Sequence, residues 1–299
     1  MATIKSRLKF FCVSASKRIR RVGMLCPACG SRGADVLDRK YGVLSLERCG
    51  VCSLLFRTPT TTAEESDRYY QTAYRRGFTT DVPSEGELKR LLSMKFVGTE
   101  KHFGERIAVL KALGVQPGAR ILDFGCSWGY GTWQLRDAGF DAIGYEVSRD
   151  RAEYARTRLS VPLVEDPWVE HGVYDVVFSS HVIEHVPSPV EVLLKARTAL
   201  RAGGLWVSFC PNGSEDFHRA KPHNYHQLWG LDHPCFPDDH FFEKQLNGLP
   251  MLISSTPCAP HVLADWAKSR SNVRSAPVSG GELLVAFRAA ETVVRRSGG

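Results

Sequence analysis

Residues 119–131 constrain the fold of this chain more than any other stretch. They read Ala-Arg-Ile-Leu-Asp-Phe-Gly-Cys-Ser-Trp-Gly-Tyr-Gly, an apolar run followed by a glycine-rich turn. The pattern predicts a buried strand, a tight turn and then a helix, with a backbone that can approach a ligand closely because glycine has no side chain. A single turn of this kind is weak evidence of binding, since tight turns without a ligand have the same composition.

Strand and helix patterns alternate from this turn onward, which predicts parallel βαβ units with right-handed crossovers. We therefore predict an α/β fold with a Rossmann-like, doubly wound, mostly parallel sheet of seven strands. Ligands of such sheets lie at the carboxyl ends of the strands. The predicted strand segments are 121–122, 140–145, 161–164, 174–179, 205–210, 251–255 and 283–287.

Four of the nine cysteines form two Cys-x-x-Cys pairs near the N-terminus, namely Cys26, Cys29, Cys49 and Cys52. Two such pairs supply the four thiolates that a structural zinc ion prefers, whereas disulfides or free thiols are the alternatives. A closed set of four cysteines leaves no open coordination position, so we expect a structural role for Zn²⁺. Short alternating segments between the pairs predict antiparallel strands, so we interpret residues 24–58 as a small zinc ribbon.

The remaining chain divides into three segments. Residues 1–23 form a basic tail that we expect to be disordered, although its small apolar patch leaves open a weak contact with a membrane surface. Residues 59–100 are interpreted as a helical connector, and residues 101–299 as the main domain with an insertion at 213–250. The connector carries an aromatic cluster that either packs on the ribbon or covers a ligand as a lid, consisting of Tyr69, Tyr70, Tyr74 and Phe78.

The charge distribution argues against a nucleic-acid partner. The net charge is +7, but residues 1–23 hold seven of the 39 basic residues and no acid, which leaves 32 basic residues against 32 acidic ones. No apolar run approaches the roughly 20 residues of a membrane-spanning helix. Scattered single cysteines accord with a reducing compartment, and we expect a cytoplasmic protein. The sequence makes no prediction of the oligomeric state.

Four motifs, in order, resemble the class I S-adenosylmethionine-dependent methyltransferases. They are the Ile-Leu-Asp-Phe-Gly-Cys-Ser-Trp-Gly turn, Gly-Tyr-Glu-Val-Ser at 144–148, the segment at 174–186 containing His-Val-Ile-Glu-His, and the Gly-Gly segment that ends in Pro-Asn at 200–212. The resemblance covers about residues 100–212. Ser127 departs from the family, which has glycine at this position of the turn, but its side chain is small.

This resemblance implies S-adenosyl-L-methionine as the cofactor. The turn would hold the methionine part, Glu146 the ribose, and Asp166 the adenine. Glu165 competes with Asp166 for this role, a solvated loop acid is an equal interpretation of Asp166, and Trp168 would form an apolar wall. The implied cofactor-binding residues are Asp123, Gly125, Ser127, Gly129, Glu146 and Asp166.

Residues 181–185 hold two histidines and a glutamate within five positions, which makes them candidates for catalysis or metal binding. A helix beginning near His181 would place His181, Glu184 and His185 on one face. The segment resembles the corresponding stretch of ubiquinone-pathway O-methyltransferases, where a Glu/Glu/His set is associated with a divalent metal, and of sugar C-methyltransferases. A metal site, a general base and a structural hydrogen-bonded cluster all remain open.

The insertion is rich in histidine and aromatic residues. Its runs at 229–232 and 239–242 resemble small-molecule methyltransferases that also carry a Cys₄ ribbon, including nucleotide-sugar C-methyltransferases. Candidate catalytic residues are His240 as the first choice for a base, then His233 and His181, with His185 in support. We predict methyl transfer to a small-molecule acceptor, with a sugar or glycan precursor preferred. RNA methylation and a non-catalytic binding module are the alternatives.

Overall fold

The computed structural model describes residues 4–72, 81–231, 233–269, 271–275 and 277–290. Tyr74, Phe78 and Asp232, which the sequence analysis singled out, lie outside the described residues. The helices are α1 Ile4–Ile19, α2 Ala63–Thr72, α3 Glu85–Ser93, α4 Gly104–Ala112, α5 Tyr130–Asp137, α6 Arg149–Leu159, α7 Pro189–Ala199, α8 Glu215–Ala220, α9 Pro222–Leu228, α10 Asp239–Gln245 and α11 Pro260–Ser269. The strands are β1 Ala34–Lys40, β2 Leu44–Cys49, β3 Leu55–Thr58, β4 Arg120–Phe124, β5 Asp141–Tyr145, β6 Tyr174–Ser180, β7 Leu200–Pro211, β8 Met251–Ser255, β9 Val273–Arg274 and β10 Glu282–Arg288.

Seven strands form the main sheet in the order β5-β4-β6-β7-β10-β8-β9. Strands β5, β4, β6 and β7 are parallel, and β10 runs antiparallel between β7 and β8. Successive residues of β4 enter opposite cores, Ile121 on one face and Leu122 on the other, because side chains alternate along a strand. The predicted α/β fold with a mostly parallel seven-stranded sheet is confirmed.

The seven strands are not the seven that the sequence predicted. Segment 161–164 forms a single isolated bridge, between Leu163 and Gly144, in place of a strand. Pro162 lies in this segment and has no amide proton to donate to a ladder. The seventh strand is instead β9, which pairs in parallel with β8 and was not predicted.

Strands β1, β2 and β3 form a separate antiparallel sheet within residues 24–58. Cys26, Cys49 and Cys52 are buried and belong to the same apolar cluster as Leu122 and Val177 of the main sheet. The ribbon is therefore packed against the main domain and is not a module on a loose tether.

The N-terminal segment is a correction to the expected disorder. Residues Ile4–Ile19 form helix α1, and the Phe11 ring lies 4.8 Å from the Tyr41 ring of the ribbon. Lys17 Nζ pairs with Glu65 at 2.5 Å, and Arg18 Nη2 donates to Ser45 Oγ at 2.8 Å. Basic side chains near the end of α1 thus find partners on the folded body. Within the described ranges, no helix combines the length and apolar character needed to cross a membrane.

Candidate functional site

The turn after β4 brings the backbone close to its neighbours. Gly125, Ser127 and Gly129 all adopt positive φ angles, of +83°, 53° and +86°. The amides of Gly125 and Cys126 donate to Tyr145 O at 2.8 and 2.9 Å, which ties the turn to the end of β5. A Cβ built on Gly125 would lie 2.4 Å from Val182 Cγ2. The turn is therefore pressed against the residues that follow β6, and glycine is required here by both conformation and space.

Glu146, at the end of β5, is held by backbone amides from two sides. Ser127 N donates to Oε2 at 2.9 Å, and Ser148 N donates to Oε1 at 2.8 Å. Burial raises the pKa of Glu146, while these amides and the charge of Arg151 act in the opposite direction. The carboxylate is thus fixed beside the glycine-rich turn, where the sequence predicted it.

Asp123 is the most perturbed acid of this site. Its side chain is 3 % exposed and accepts a bond from Thr132 Oγ1 at 2.6 Å. Burial raises the pKa of Asp123 to about 7; the bond from Thr132 lowers it and the charge of Glu146 raises it further. A cationic ligand group bound beside it would favour the ionised carboxylate.

Ser127 uses the side chain that distinguishes it from glycine. Its Oγ accepts a bond from Arg151 Nη1 at 2.9 Å, and the Arg151 side chain is buried. This contact offsets part of the cost of a positive φ angle in a residue with a side chain. The sequence analysis missed Arg151, because nothing in its local sequence marks an arginine of α6 as buried against the turn.

Asp166 and Trp168 lie beside an aromatic stack. Trp168 N donates to Asp166 Oδ1 at 2.9 Å, and the Trp168 ring lies 5.1 Å from that of Phe124. The Phe124 ring in turn stacks on Tyr145 at 5.4 Å. Asp166 and Glu165 are both exposed, so the geometry leaves the choice between them open. The stack supplies an apolar surface next to the turn.

The segment after β6 is a turn, and the expected helix beginning near His181 is not formed. His181 has φ 56°, and the amide of His185 donates to Val182 O at 2.9 Å. A residue in the left-handed region cannot belong to a right-handed helix, so no helix begins at His181. The turn nevertheless brings His181 and Glu184 together, with Nδ1 3.2 Å from Oε1.

His181 is clamped between two carboxylates. Its Nε2 lies 2.7 Å from Glu282 Oε1, and the same oxygen accepts a hydrogen bond from Arg106 Nη2 at 2.5 Å. Burial lowers the pKa of His181, but the bonds to Glu184 and Glu282 outweigh it and raise the pKa to about 10. His181 is therefore an imidazolium near neutral pH and has no free lone pair with which to act as a base. Glu282 and Arg106 come from β10 and α4, and no sequence pattern indicated that they meet His181.

Glu184 is fully buried and ionised. Burial raises its pKa, but the bond from His181 and the positive charges of the surrounding histidines lower it to about 2. Its Oε2 has no hydrogen-bond partner among the described residues. An unsatisfied buried carboxylate oxygen is costly, so this atom is positioned for a ligand.

A second group of side chains forms around the same carboxylate. One ligand-type atom each of Glu184, His185 and His233 lies within 4.8 Å of the others, and the His185 and His233 rings are 4.8 Å apart. His233 Nδ1 donates to Leu228 O, so in the neutral imidazole the lone pair lies on Nε2. The structure thus joins His181, His185 and His233 through Glu184. The group is chemically able to hold a divalent cation or to accept a proton.

His240, the first choice from sequence, sits elsewhere on the insertion. It lies on α10, is half-exposed, and its Nδ1 is 3.6 Å from Glu243 Oε2 on the same helix. None of the contacts described for it involves Glu184 or the glycine-rich turn. Its assignment as a base stays a prediction from sequence.

The four ribbon cysteines converge. The Sγ atoms of Cys26 and Cys52 are 3.4 Å apart, those of Cys29 and Cys49 are 3.5 Å apart, and all four lie within 4.8 Å of one another. All four thiols are free. Four sulfurs at these separations fit a tetrahedral metal with bonds of about 2.3 Å.

Comparison with known proteins decides the family. Residues 100–249, half of the chain, match the family described as a methyltransferase domain. The chain belongs to this methyltransferase domain family. Membership confirms the class that the ordered motifs predicted, the S-adenosylmethionine-dependent methyltransferases.

Individual relatives of this methyltransferase domain are similar over limited stretches. A ubiquinone biosynthesis O-methyltransferase of Bordetella avium is 30% identical over 106 residues, covering 32% of this chain and 44% of the relative. A tRNA U34 carboxymethyltransferase of Alcanivorax borkumensis is 35% identical over 101 residues, covering 29% of this chain and 30% of the relative. The chain thus spans less than half the length of these curated relatives. A geranyl diphosphate C-methyltransferase of Streptomyces coelicolor aligns over 76% of this chain and 97% of its own with a TM-score of 0.45 and 14% identity.

The residues of the methyltransferase domain fit S-adenosylmethionine. The ligand carries an ammonium group, which suits the buried Asp123, and ribose hydroxyls, which suit the fixed carboxylate of Glu146. Its adenine is flat and apolar on both faces, which suits the apolar surface formed by Trp168 and the stacked rings of Phe124 and Tyr145.

Proposed function

We propose that this protein transfers a methyl group from S-adenosylmethionine to a small-molecule acceptor, with a sugar or glycan precursor preferred. The observation that carries the proposal is the contact of Val182 with Gly125. It brings the turn that would hold the cofactor directly against the segment that carries Glu184 and His185. Cofactor and proton-accepting groups would therefore meet at the carboxyl ends of β4 and β6, where ligands of such sheets bind.

We assign the role of base to His233. S-adenosylmethionine supplies an electrophilic methyl group on a positively charged sulfur, so the acceptor must lose a proton as it attacks. Because Nδ1 donates to Leu228 O, the neutral imidazole of His233 would carry its lone pair on Nε2. Glu184, with a pKa lowered to about 2, would stabilise the imidazolium that forms. His181 is already protonated and orients Glu184.

Glu146 provides the first test of this proposal. Replacing Glu146 with Gln keeps the shape but removes the charged acceptor, so we expect the dissociation constant for S-adenosylmethionine to rise by about 10- to 100-fold, the equivalent of one or two charge-assisted bonds. Isothermal titration calorimetry measures it. Glu153→Gln, on the exposed face of α6, is the matched control and should bind normally. A wild-type protein that does not bind the cofactor would refute the proposal.

The acceptor is tested by a screen of nucleotide sugars and phenolic compounds with isotope-labelled cofactor. With any acceptor found, His233→Gln should lower turnover while leaving cofactor affinity unchanged, and His240→Gln should have little effect. A larger loss of turnover in His240→Gln than in His233→Gln would identify His240 as the base instead.

RNA methylation is the second candidate, because a tRNA U34 carboxymethyltransferase is among the relatives. Two observations weigh against it. The body of the chain has no excess of basic residues, and strand β3 of the ribbon pairs with the chain's own residues 234–236. Retention on immobilised RNA that persists at 200 mM salt would favour this candidate instead.

A further inference from the structure

Strand β3 of the ribbon forms hydrogen bonds with a segment of the insertion. Phe236 N donates to Leu55 O at 2.8 Å, and Arg57 N donates to Pro234 O at 2.8 Å. Phe56 and Cys235 form an antiparallel bridge between these two bonds. Residues 234–236 therefore pair with the edge of β3 that β2 leaves open, as an added strand would.

The same three residues touch the candidate site on their other side. Cys235 N donates to Glu184 O at 3.1 Å, and Cys235 Sγ donates to Val186 O at 3.7 Å. His233, which comes just before them in the chain, faces His185. A single extended segment thus joins the ribbon to the turn that carries Glu184.

Polar contacts, the most buried of which joins Arg48 and Asp238, fix the rest of the insertion to the ribbon. Arg48 Nη1 lies 2.6 Å from Asp238 Oδ2, and the Asp238 side chain is fully buried. Asp38 Oδ2 receives Trp229 Nε1 at 2.9 Å and lies 2.6 Å from His226 Nδ1. Removing one partner of a buried pair leaves the other unsatisfied, so these contacts specify one arrangement of the two elements.

The ribbon and the insertion also share one apolar core. Leu44, Leu46 and Leu55 of the ribbon are fully or almost fully buried against side chains of the insertion, which are Phe217, Tyr225, Trp229 and Phe236. A three-stranded ribbon of this size has too little core to fold without its metal or this cover. Formation of the ribbon and ordering of the insertion should therefore be one event.

We propose that the Cys₄ ribbon acts within the chain, as the scaffold of the acceptor side. Metal bound by Cys26, Cys29, Cys49 and Cys52 fixes β3, β3 fixes residues 234–236, and these position His233 beside Glu184 and His185. The ribbon is in this sense a positioning element. The term acceptor side rests on the function proposed above, whereas the coupling of metal to insertion does not.

The test compares the full chain loaded with zinc, stripped by a chelator and reloaded with zinc. Hydrogen exchange in peptides from residues 213–250 should rise by about tenfold or more on stripping and recover on reloading. The imidazole NMR signals of His185 and His233 should shift with the metal although neither is a ligand of the ribbon zinc. The dissociation constant for S-adenosylmethionine should change by less than about threefold, because the glycine-rich turn and Glu146 are held by hydrogen bonds with Tyr145, Ser148 and Arg151 of the main domain.

Arg48→Met tests the contact between ribbon and insertion independently of metal binding, since it leaves all four cysteines in place. We expect faster exchange in residues 234–246 with zinc content unchanged, and partial recovery in Arg48→Lys. Arg39→Met, on the exposed edge strand β1, is the control and should exchange as the wild type.

Unchanged exchange in the insertion after zinc removal, or in Arg48→Met, would overturn the proposal. Loss of cofactor affinity in step with zinc would also overturn it, because the ribbon would then support the whole fold. Absence of cofactor binding in the zinc-loaded wild type would instead refute the proposed function, and the exchange result would stand independently of it.

Discussion

At the scale of single residues, the site depends on charges placed where water is excluded. Glu184 stays ionised in a fully buried position because the protonated His181 donates a hydrogen bond to it and lowers its pKa. Asp123 lacks such a cation and its pKa rises to about 7. The two buried acids thus differ in pKa because Glu184 has a cationic partner and Asp123 does not. A cationic group of a ligand would therefore be stabilised beside Asp123.

The charge of His181 makes stability depend on pH. Its pKa in the folded chain is raised to about 10 by Glu184 and Glu282, the second of which also binds Arg106. Its contribution to stability is therefore complete below the unfolded value of about 6.5 and is lost as the pH rises through about 10. The difference in unfolding free energy between the wild type and His181→Gln should shrink from pH 6 to pH 10 in urea titrations.

His261→Gln, which changes an exposed histidine of α11, serves as the control and should show no such trend. A wild-type advantage over His181→Gln that stays constant across this range would show that His181 is not charged in the folded protein.

At the scale of elements, the turn after β4 and the turn after β6 pack directly on each other. Parallel neighbours β4 and β6 end at the same edge of the sheet, so the residues that follow them must share one space. Val182 occupies the space in which Gly125 would carry a side chain. Any change in one turn therefore moves the other, which couples the predicted cofactor site to the segment of Glu184.

Gly125→Ala measures this contact, with Gly139→Ala as its matched control. Both glycines have positive φ, +83° and +93°, but a Cβ at Gly139 meets nothing within 4 Å. We expect Gly139→Ala to cost about 1 kcal/mol from backbone strain alone. Gly125→Ala should cost about 1–3 kcal/mol more from the clash with Val182. Urea unfolding measures both.

Val182→Ala in the Gly125→Ala background should recover part of that additional cost. Equal destabilisation by the two alanine variants would mean that the two turns do not pack as described.

At the scale of the whole molecule, the ribbon, helix α1 and the insertion pack into one body with the main sheet. Cysteines of the ribbon lie in the same core as residues of β4, β6 and β7. Helix α1 contacts the ribbon through Phe11 and Arg18, and helix α2 through Lys17. The basic N-terminal segment is thus partly used to hold the fold, since Lys17 and Arg18, two of its seven basic residues, have partners on the folded body.

Metal content tests this architecture. We expect elemental analysis to return about one zinc ion per chain, and removal of that zinc to lower the melting temperature, because the metal closes a ribbon that shares the main core. Cys12→Ser, outside the cluster, should keep the zinc, whereas Cys49→Ser should lose it. A second equivalent of metal that disappears in His233→Gln would assign a metal to Glu184, His185 and His233. A wild-type chain free of zinc would contradict the expectation.

Features that depend on neighbouring residues were predictable from the amino-acid sequence. Apolar runs between glycines predict buried strands, and two Cys-x-x-Cys pairs bring their thiols near one point over a short loop. Glu146 follows a strand next to the glycine-rich turn, so its place at the sheet edge comes from strand order alone. Family motifs spaced over about a hundred residues then fixed the class of enzyme.

Contacts between residues that are distant in the sequence became known from the folded structure. Glu282 and Arg106 clamp His181 from two other elements, Arg151 reaches Ser127, and residues 234–236 pair with β3. Such contacts join segments up to about 180 residues apart and depend on packing that no local pattern encodes. The physical reason is that the position of a residue in the sequence determines the face of the helix or strand on which its side chain lies. The residue that it contacts depends on how whole helices and strands pack together. For this reason the sequence identified the glycine-rich turn, and the structure determined what lies against it.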